Sequence, residues 1–185
     1  MYGLAFVLLQ NFMETKFDNK AWKEILAGVN LPVSRIYFSY DNYSDGDFFR
    51  LVDEAAKKLV VSREIFLDEY GYFAGNFVMQ NYSKAINSNW KTSELLENFK
   101  FYYDRILGAR SSDSEPGILL ESRKNKEGEI VILYRSPRKL CPLIIGIFKS
   151  VAHYYKEEIL IAEPQCMLKG AAMCEFVVTI LKARL

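Results

Sequence analysis

At 185 residues, half of them apolar and including 13 Phe and 12 Tyr, the chain is long enough for one domain with a sizeable core and too hydrophobic for disorder. Its 24 basic and 23 acidic residues leave no positive surplus to attract nucleic acid or an anionic membrane. No apolar run reaches the roughly 18 to 20 residues of a membrane helix, the first residues lack the basic start of a signal peptide, and three cysteines without an export signal point to reduced thiols or metal ligands in a cytoplasmic protein.

In chain order, Leu4, Val7, Leu8, Phe12 and Phe17 recur near helical spacing over residues 3 to 17. Asp18 or Asn19 caps a second helix through Trp22, Ile25 and Leu26 that stops at Gly28. Ser44 with Asp47 resembles a capping box ahead of Phe48, Val52, Ala55 and Leu59. Ser62 opens a longer helix through Phe66, Tyr70, Phe73, Phe77 and Met79. Gly71 and Gly75 inside it each cost about 1 kcal/mol relative to alanine. Either a flat ligand or a neighbouring helix comes close there. After a break at 87–89, Leu95, Leu96, Phe99, Tyr102, Tyr103, Ile106 and Leu107 predict one helix starting at Thr92 or Ser93, followed by a polar loop at 111–117.

The pattern then changes. Residues 118–121 and 130–134 read as strands joined by a turn at 124–128, residues 140–155 as an apolar helix, and 159–162 and 176–181 as strands. The fold class is α+β: a helical N-terminal lobe of about 1–111, then an antiparallel sheet with a packed helix over about 112–185, in a single domain of 1–185.

The stretch Tyr134-Arg135-Ser136-Pro137-Arg138 closes the second strand. Alternate side chains of an extended segment share a face, so Tyr134, Ser136 and Arg138 can converge on one object. A phenol, a hydroxyl and a planar guanidinium suit a carboxylate or phosphate. Ordinary solvated polar groups at a strand end are the plain alternative. Cys166 and Cys174 flank seven residues that can form a hairpin, and Cys141 opens the helix after the Tyr-to-Arg stretch. The sequence has no glycine-rich phosphate loop, nucleophile elbow or HExxH, and Asp68-Glu69 and Glu157-Glu158 read as solvated acids. These features favour a sensor or binding module over an enzyme.

The opening MYGLAFVLLQNF, the YRSPR stretch, the following LCPLIIGIFKSVAHYYKEE and the closing CMLKGAAMCEF together resemble the haem nitric oxide/oxygen binding (H-NOX) domains. The resemblance runs over nearly the whole chain. It implies an H-NOX-like fold, a signalling sensor for a diatomic gas, and Tyr134, Ser136 and Arg138 as the Y-x-S-x-R motif that grips haem propionates. It also implies a partner such as a histidine kinase, a cyclase or a chemotaxis receptor. Family members hold the iron with a proximal histidine. That position falls here on Tyr103, while the one histidine of the chain, His153, lies near a polar helix end and reads as a surface residue.

Three readings stay open. Tyr103 ligates ferric haem as a phenolate, or haem or another tetrapyrrole is held by Arg138 and apolar contacts alone, or the pocket holds no haem. Plain core packing is the alternative role for Tyr103. The position of the oxygen-stabilising tyrosine of oxygen-binding members falls on Leu143, so nitric oxide or carbon monoxide fits better than stable dioxygen. Ala5, Phe73, Ala74, Phe77, Leu143 and Ile147 are the expected pocket lining. Some bacterial relatives bind zinc with three cysteines and a histidine. The cysteines match here as Cys141, Cys166 and Cys174, and the histidine position is Glu163, which gives a candidate zinc set. The rival function is a haem-free zinc or thiol redox-sensing or protein-interaction module.

Overall fold

The computed structural model describes residues 1–106 and 118–181. Three of its first four helices, the first excepted, begin where short polar side chains satisfy open backbone donors. Helix α1 (Gly3–Lys16) is followed by α2 (Asn19–Gly28), whose N-cap Asp18 accepts from the Ala21 N–H at 2.7 Å. Helices α3 (Asp45–Leu59) and α4 (Arg63–Asn81) are capped by Ser44 and Ser62, whose hydroxyls accept from Asp47 N–H at 3.4 Å and Ile65 N–H at 3.2 Å.

The single helix expected from Thr92 onward is two: α5 (Thr92–Glu97) and α6 (Phe99–Ile106). The break falls at Asn98, whose side-chain amide donates to the Glu94 carbonyl at 2.9 Å. Asparagine competes for helix carbonyls in this way, so it interrupts a helix whose apolar period is continuous. The polar loop at 111–117 and the lobe boundary near 112 lie outside the described residues.

The second lobe is a four-stranded antiparallel sheet in the order β1-β2-β4-β3, built from β1 (Leu119–Lys124), β2 (Ile130–Arg135), β3 (Glu158–Gln165) and β4 (Cys174–Leu181). Helix α7 (Cys141–Tyr154) connects β2 to β3. Two cores result. Phe6, Trp22, Phe48, Phe66 and Tyr70 fill the first lobe; Leu96, Ile132, Phe148, Phe176 and Val178 fill the second. Leu143 of α7 packs against both.

The lobes meet where α4 lies along α7, and glycine permits the approach. A Cβ on Gly71 would overlap the Leu143 carbonyl, one on Gly75 the Ser150 hydroxyl, and one on Gly146 the Asp68 carbonyl. Helix packing is one of the two reasons offered for Gly71 and Gly75, and both meet α7 in this way. Among the described residues, no helix is long and apolar enough to cross a membrane.

Candidate functional site

Between the two cores lies a cavity of about 180 Å³. Leu4, Ala5 and Leu8 of α1 and Ala74, Gly75 and Val78 of α4 form one wall. Leu143, Ile144 and Ile147 of α7 continue it, and Leu95, Phe99, Tyr102 and Tyr103 of α5 and α6 close the other side. Of the expected lining, Ala5, Ala74, Leu143 and Ile147 are in the wall, whereas Phe73 and Phe77 are not. Phe73 packs on Phe12, with ring centroids 5.3 Å apart, and Phe77 packs against the first core. Each residue turns a helix by about 100°. The face of α4 that carries Gly71, Ala74, Gly75 and Val78 toward α7 therefore points Phe73 and Phe77 elsewhere.

Tyr134, Ser136 and Arg138 line the same cavity. Their convergence does not come from an unbroken strand, because β2 ends at Arg135 and the chain turns. The Lys139 N–H donates to the Ser136 carbonyl at 3.0 Å, the Arg138 N–H donates to the Ser136 hydroxyl at 3.2 Å, and Lys139 takes a left-handed φ of 50°. This turn, not strand alternation, brings Arg138 beside the other two. Burial pushes the Tyr134 phenol up to about 12, against hydrogen bonds with Ser136 and the Leu140 backbone, so it stays a neutral hydroxyl at ordinary pH.

Sequence reasoning missed Asp45. Its carboxylate accepts from Arg138 Nε at 2.6 Å and Nη2 at 3.0 Å, and from the amino-terminal nitrogen of Met1 at 2.6 Å. Burial alone would raise its pKa. The hydrogen bonds from Arg138 and the amino terminus outweigh burial and hold it below the usual carboxylate range. The guanidinium thus grips a carboxylate of the chain itself, across 93 residues of sequence. No local signal marked this pair, since an acid in the first turn of a helix already has a reason to be there.

Tyr103 stands on the wall contributed by α6, in the same cavity as Tyr134. Tyr102, its neighbour on the wall, accepts from the Asn87 N–H at 3.2 Å, and the wholly buried Tyr70 hydroxyl donates to the Ala5 carbonyl at 2.7 Å. At Leu143 the wall is aliphatic. His153 is exposed, its ring 5.9 Å from Tyr72, and is not part of the lining.

Cys141, Glu163, Cys166 and Cys174 come together behind the Tyr-to-Arg turn, with their ligand atoms within 4.8 Å of one another. All three cysteines are buried and free. Cys174 Sγ lies 2.9 Å from Cys141 Sγ and accepts from the Met167 N–H at 3.2 Å. Burial pushes both the Cys141 and the Cys174 thiols up. Glu163 Oε1 is buried with no hydrogen-bond partner among the described residues.

A helical lobe and an antiparallel sheet enclosing an apolar cavity with one cationic clasp define a ligand-binding domain. The chain matches the Haem-NO-binding family model over residues 2–163 and belongs to that family of haem-based sensor domains. An H-NOX protein from Shewanella oneidensis in the Fe(II)NO state is 20% identical with a TM-score of 0.85, covering 98% of this chain and 100% of that one. A histidine-to-glycine mutant of an H-NOX domain from the same organism, in the Fe(II)CO state, is 20% identical with a TM-score of 0.82, covering 98% and 99%. An oxygen-binding H-NOX domain related to soluble guanylate cyclases, in its oxygen complex, is 14% identical with a TM-score of 0.82, covering 98% and 96%. At these identities the likeness carries the fold. No protein of curated function matches the sequence.

Proposed function

We propose that residues 1–185 form one signalling sensor domain that holds haem or a related tetrapyrrole through Tyr134, Ser136 and Arg138, without a histidine on the iron. The observation that carries this reading is the apolar cavity with a guanidinium, a buried hydroxyl and a neutral phenol at one end. A flat apolar ring with carboxylate tails matches both parts: the walls take the ring, and Arg138, which already binds the Asp45 carboxylate in bidentate fashion, takes a tail. Bound haem supplies an iron that takes up a diatomic gas.

Tyr103 is the candidate axial residue, since it lines the cavity and the resemblance puts the family's histidine position there; a phenolate there favours ferric iron. The Fe(II)CO state of the histidine-to-glycine relative supports haem retention by a domain from which a histidine has been removed. The aliphatic wall at Leu143 offers no donor to a bound gas, which favours nitric oxide or carbon monoxide over dioxygen. The domain passes its signal to a partner such as a kinase, cyclase or chemotaxis receptor. Its free thiols suit the cytoplasm.

The cysteine cluster is a zinc site in this reading. Three thiols and a carboxylate oxygen without a hydrogen-bond partner fit a tetrahedral thiophilic cation, which would displace the thiol protons that burial retains. A haem-free redox switch has less support, because buried thiols with raised pKa react slowly with oxidants. Hemin titration into the purified protein, followed by the Soret band, tests the proposal. Uptake that falls with Arg138→Ala supports the clasp, and a band shifted by Tyr103→Phe supports axial ligation. A protein that takes up no hemin would sink the reading.

A further inference from the structure

The clasp and the thiol cluster are two ends of one short piece of backbone. Tyr134 of β2 pairs directly with Cys174 of β4 across the sheet. Three residues after Arg138 the chain reaches Cys141, the first residue of α7. The turn between them carries Ser136 and Arg138 and is closed by the Lys139 N–H on the Ser136 carbonyl and the Arg138 N–H on the Ser136 hydroxyl. Whatever fixes Cys141 and Cys174 therefore fixes both ends of the segment that shapes the clasp.

We propose that the cluster of Cys141, Glu163, Cys166 and Cys174 is an effector site for the clasp, and that a thiophilic divalent cation bound there strengthens the binding of a carboxylate-bearing ring at Tyr134, Ser136 and Arg138. The inference rests on the clasp reading given above. A tetrahedral zinc ion with bonds of about 2.3 Å holds its sulfurs about 3.8 Å apart. The Cys141 and Cys174 sulfurs sit closer than that, at 2.9 Å, while the full donor set spreads to 4.8 Å. A bound cation parts the first pair, draws in the rest and cross-links the start of α7 to the paired strands β3 and β4 and the connection between them. The cation then braces the segment at its Cys141 end and at the Cys174 partner of Tyr134, so that less of the restraint on the clasp has to come from the ligand. Linkage makes the effect reciprocal, so the ligand strengthens cation binding by the same factor.

The test uses the whole chain, stripped of metal by a chelator or loaded with zinc. Hemin dissociation constants are measured in both forms, and zinc dissociation constants with and without hemin. Hemin binds at least about fivefold more tightly to the zinc form, zinc gains by the same factor from hemin, and hemin dimethyl ester, which has no carboxylates, is indifferent to zinc. Glu163→Gln keeps the side-chain volume, so the fold is retained; it weakens zinc and moves the hemin response to higher zinc concentration. Equal hemin affinity in both forms, a dimethyl ester that responds as strongly as hemin, or a cluster that takes up no zinc overturns the coupling and leaves the clasp standing. Failure of either form to take up hemin instead removes the clasp reading, and the coupling with it.

Discussion

Replacing Gly146 by alanine sets two effects of opposite sign against each other at the contact between α4 and α7. Alanine is the better helix former, which on its own favours the variant by about 1 kcal/mol. The added Cβ, however, overlaps the Asp68 carbonyl and lies 2.7 Å from the Tyr72 amide nitrogen. Both are backbone atoms of α4 and cannot rotate aside, so the helices must part. Overpacking of this kind costs about 3 kcal/mol at its upper range. The net expectation is a loss of about 2 kcal/mol, or roughly 4 to 8 °C in Tm for a chain of this length. Urea unfolding of the ligand-free protein measures it, with an unchanged slope showing that only stability moved. Gly46→Ala is the control: it lies in the first turn of α3, and its Cβ would meet only the Ser44 hydroxyl at 3.4 Å. That variant gains up to about 1 kcal/mol from helix propensity. A Gly146→Ala protein at least as stable as its parent would refute the argument that these glycines exist for helix packing.

The Asp45 pair makes an acid-limb prediction. The folded pKa of Asp45 is depressed, so its contribution is present above the unfolded value of about 3.9 and disappears as pH falls through the still lower folded value. Asp45→Asn therefore destabilises the protein at neutral pH, and urea midpoints of parent and variant converge below about pH 4; a gap that persists at lower pH contradicts the assignment. Tyr70→Phe deletes a buried hydroxyl that donates to the Ala5 carbonyl and costs about 1 to 2 kcal/mol while leaving hemin uptake intact. A neutral result in urea would mean that this hydrogen bond contributes nothing net.

What the sequence revealed divides along the range of the interactions. Caps at Asp18, Ser44 and Ser62 are local, because the side chain and the N–H it serves lie within three residues, and all three were legible. The α+β order and the hairpin between Cys166 and Cys174 were legible from period and turn chemistry. Asn98 was not, because the apolar stripe runs unbroken through it and a single amide decides the break. Phe73 and Phe77 were misassigned for a related reason. On a helix buried on more than one side, an aromatic stripe does not say which side faces the cavity. Asp45 was invisible because its partner lies 93 residues away.

If haem is bound as proposed, a tyrosine in place of the family's iron-binding histidine affects the iron more than it affects retention of the ring. Each 100 Å² of apolar surface removed from water contributes about 2.5 kcal/mol, and the cavity walls from α1, α4, α5, α6 and α7 are almost wholly aliphatic or aromatic. A carboxylate tail that replaces Asp45 on Arg138 meets a charge-assisted bidentate contact whose geometry Asp45 demonstrates. Neither contribution requires a bond from position 103 to iron. A tyrosine there changes which oxidation state of bound iron is favoured and hence which signal the domain reports, whereas a change at Arg138 removes the anchor itself. On the proposed reading the clasp decides whether a ligand is held, and Tyr103 decides what the held ligand can sense.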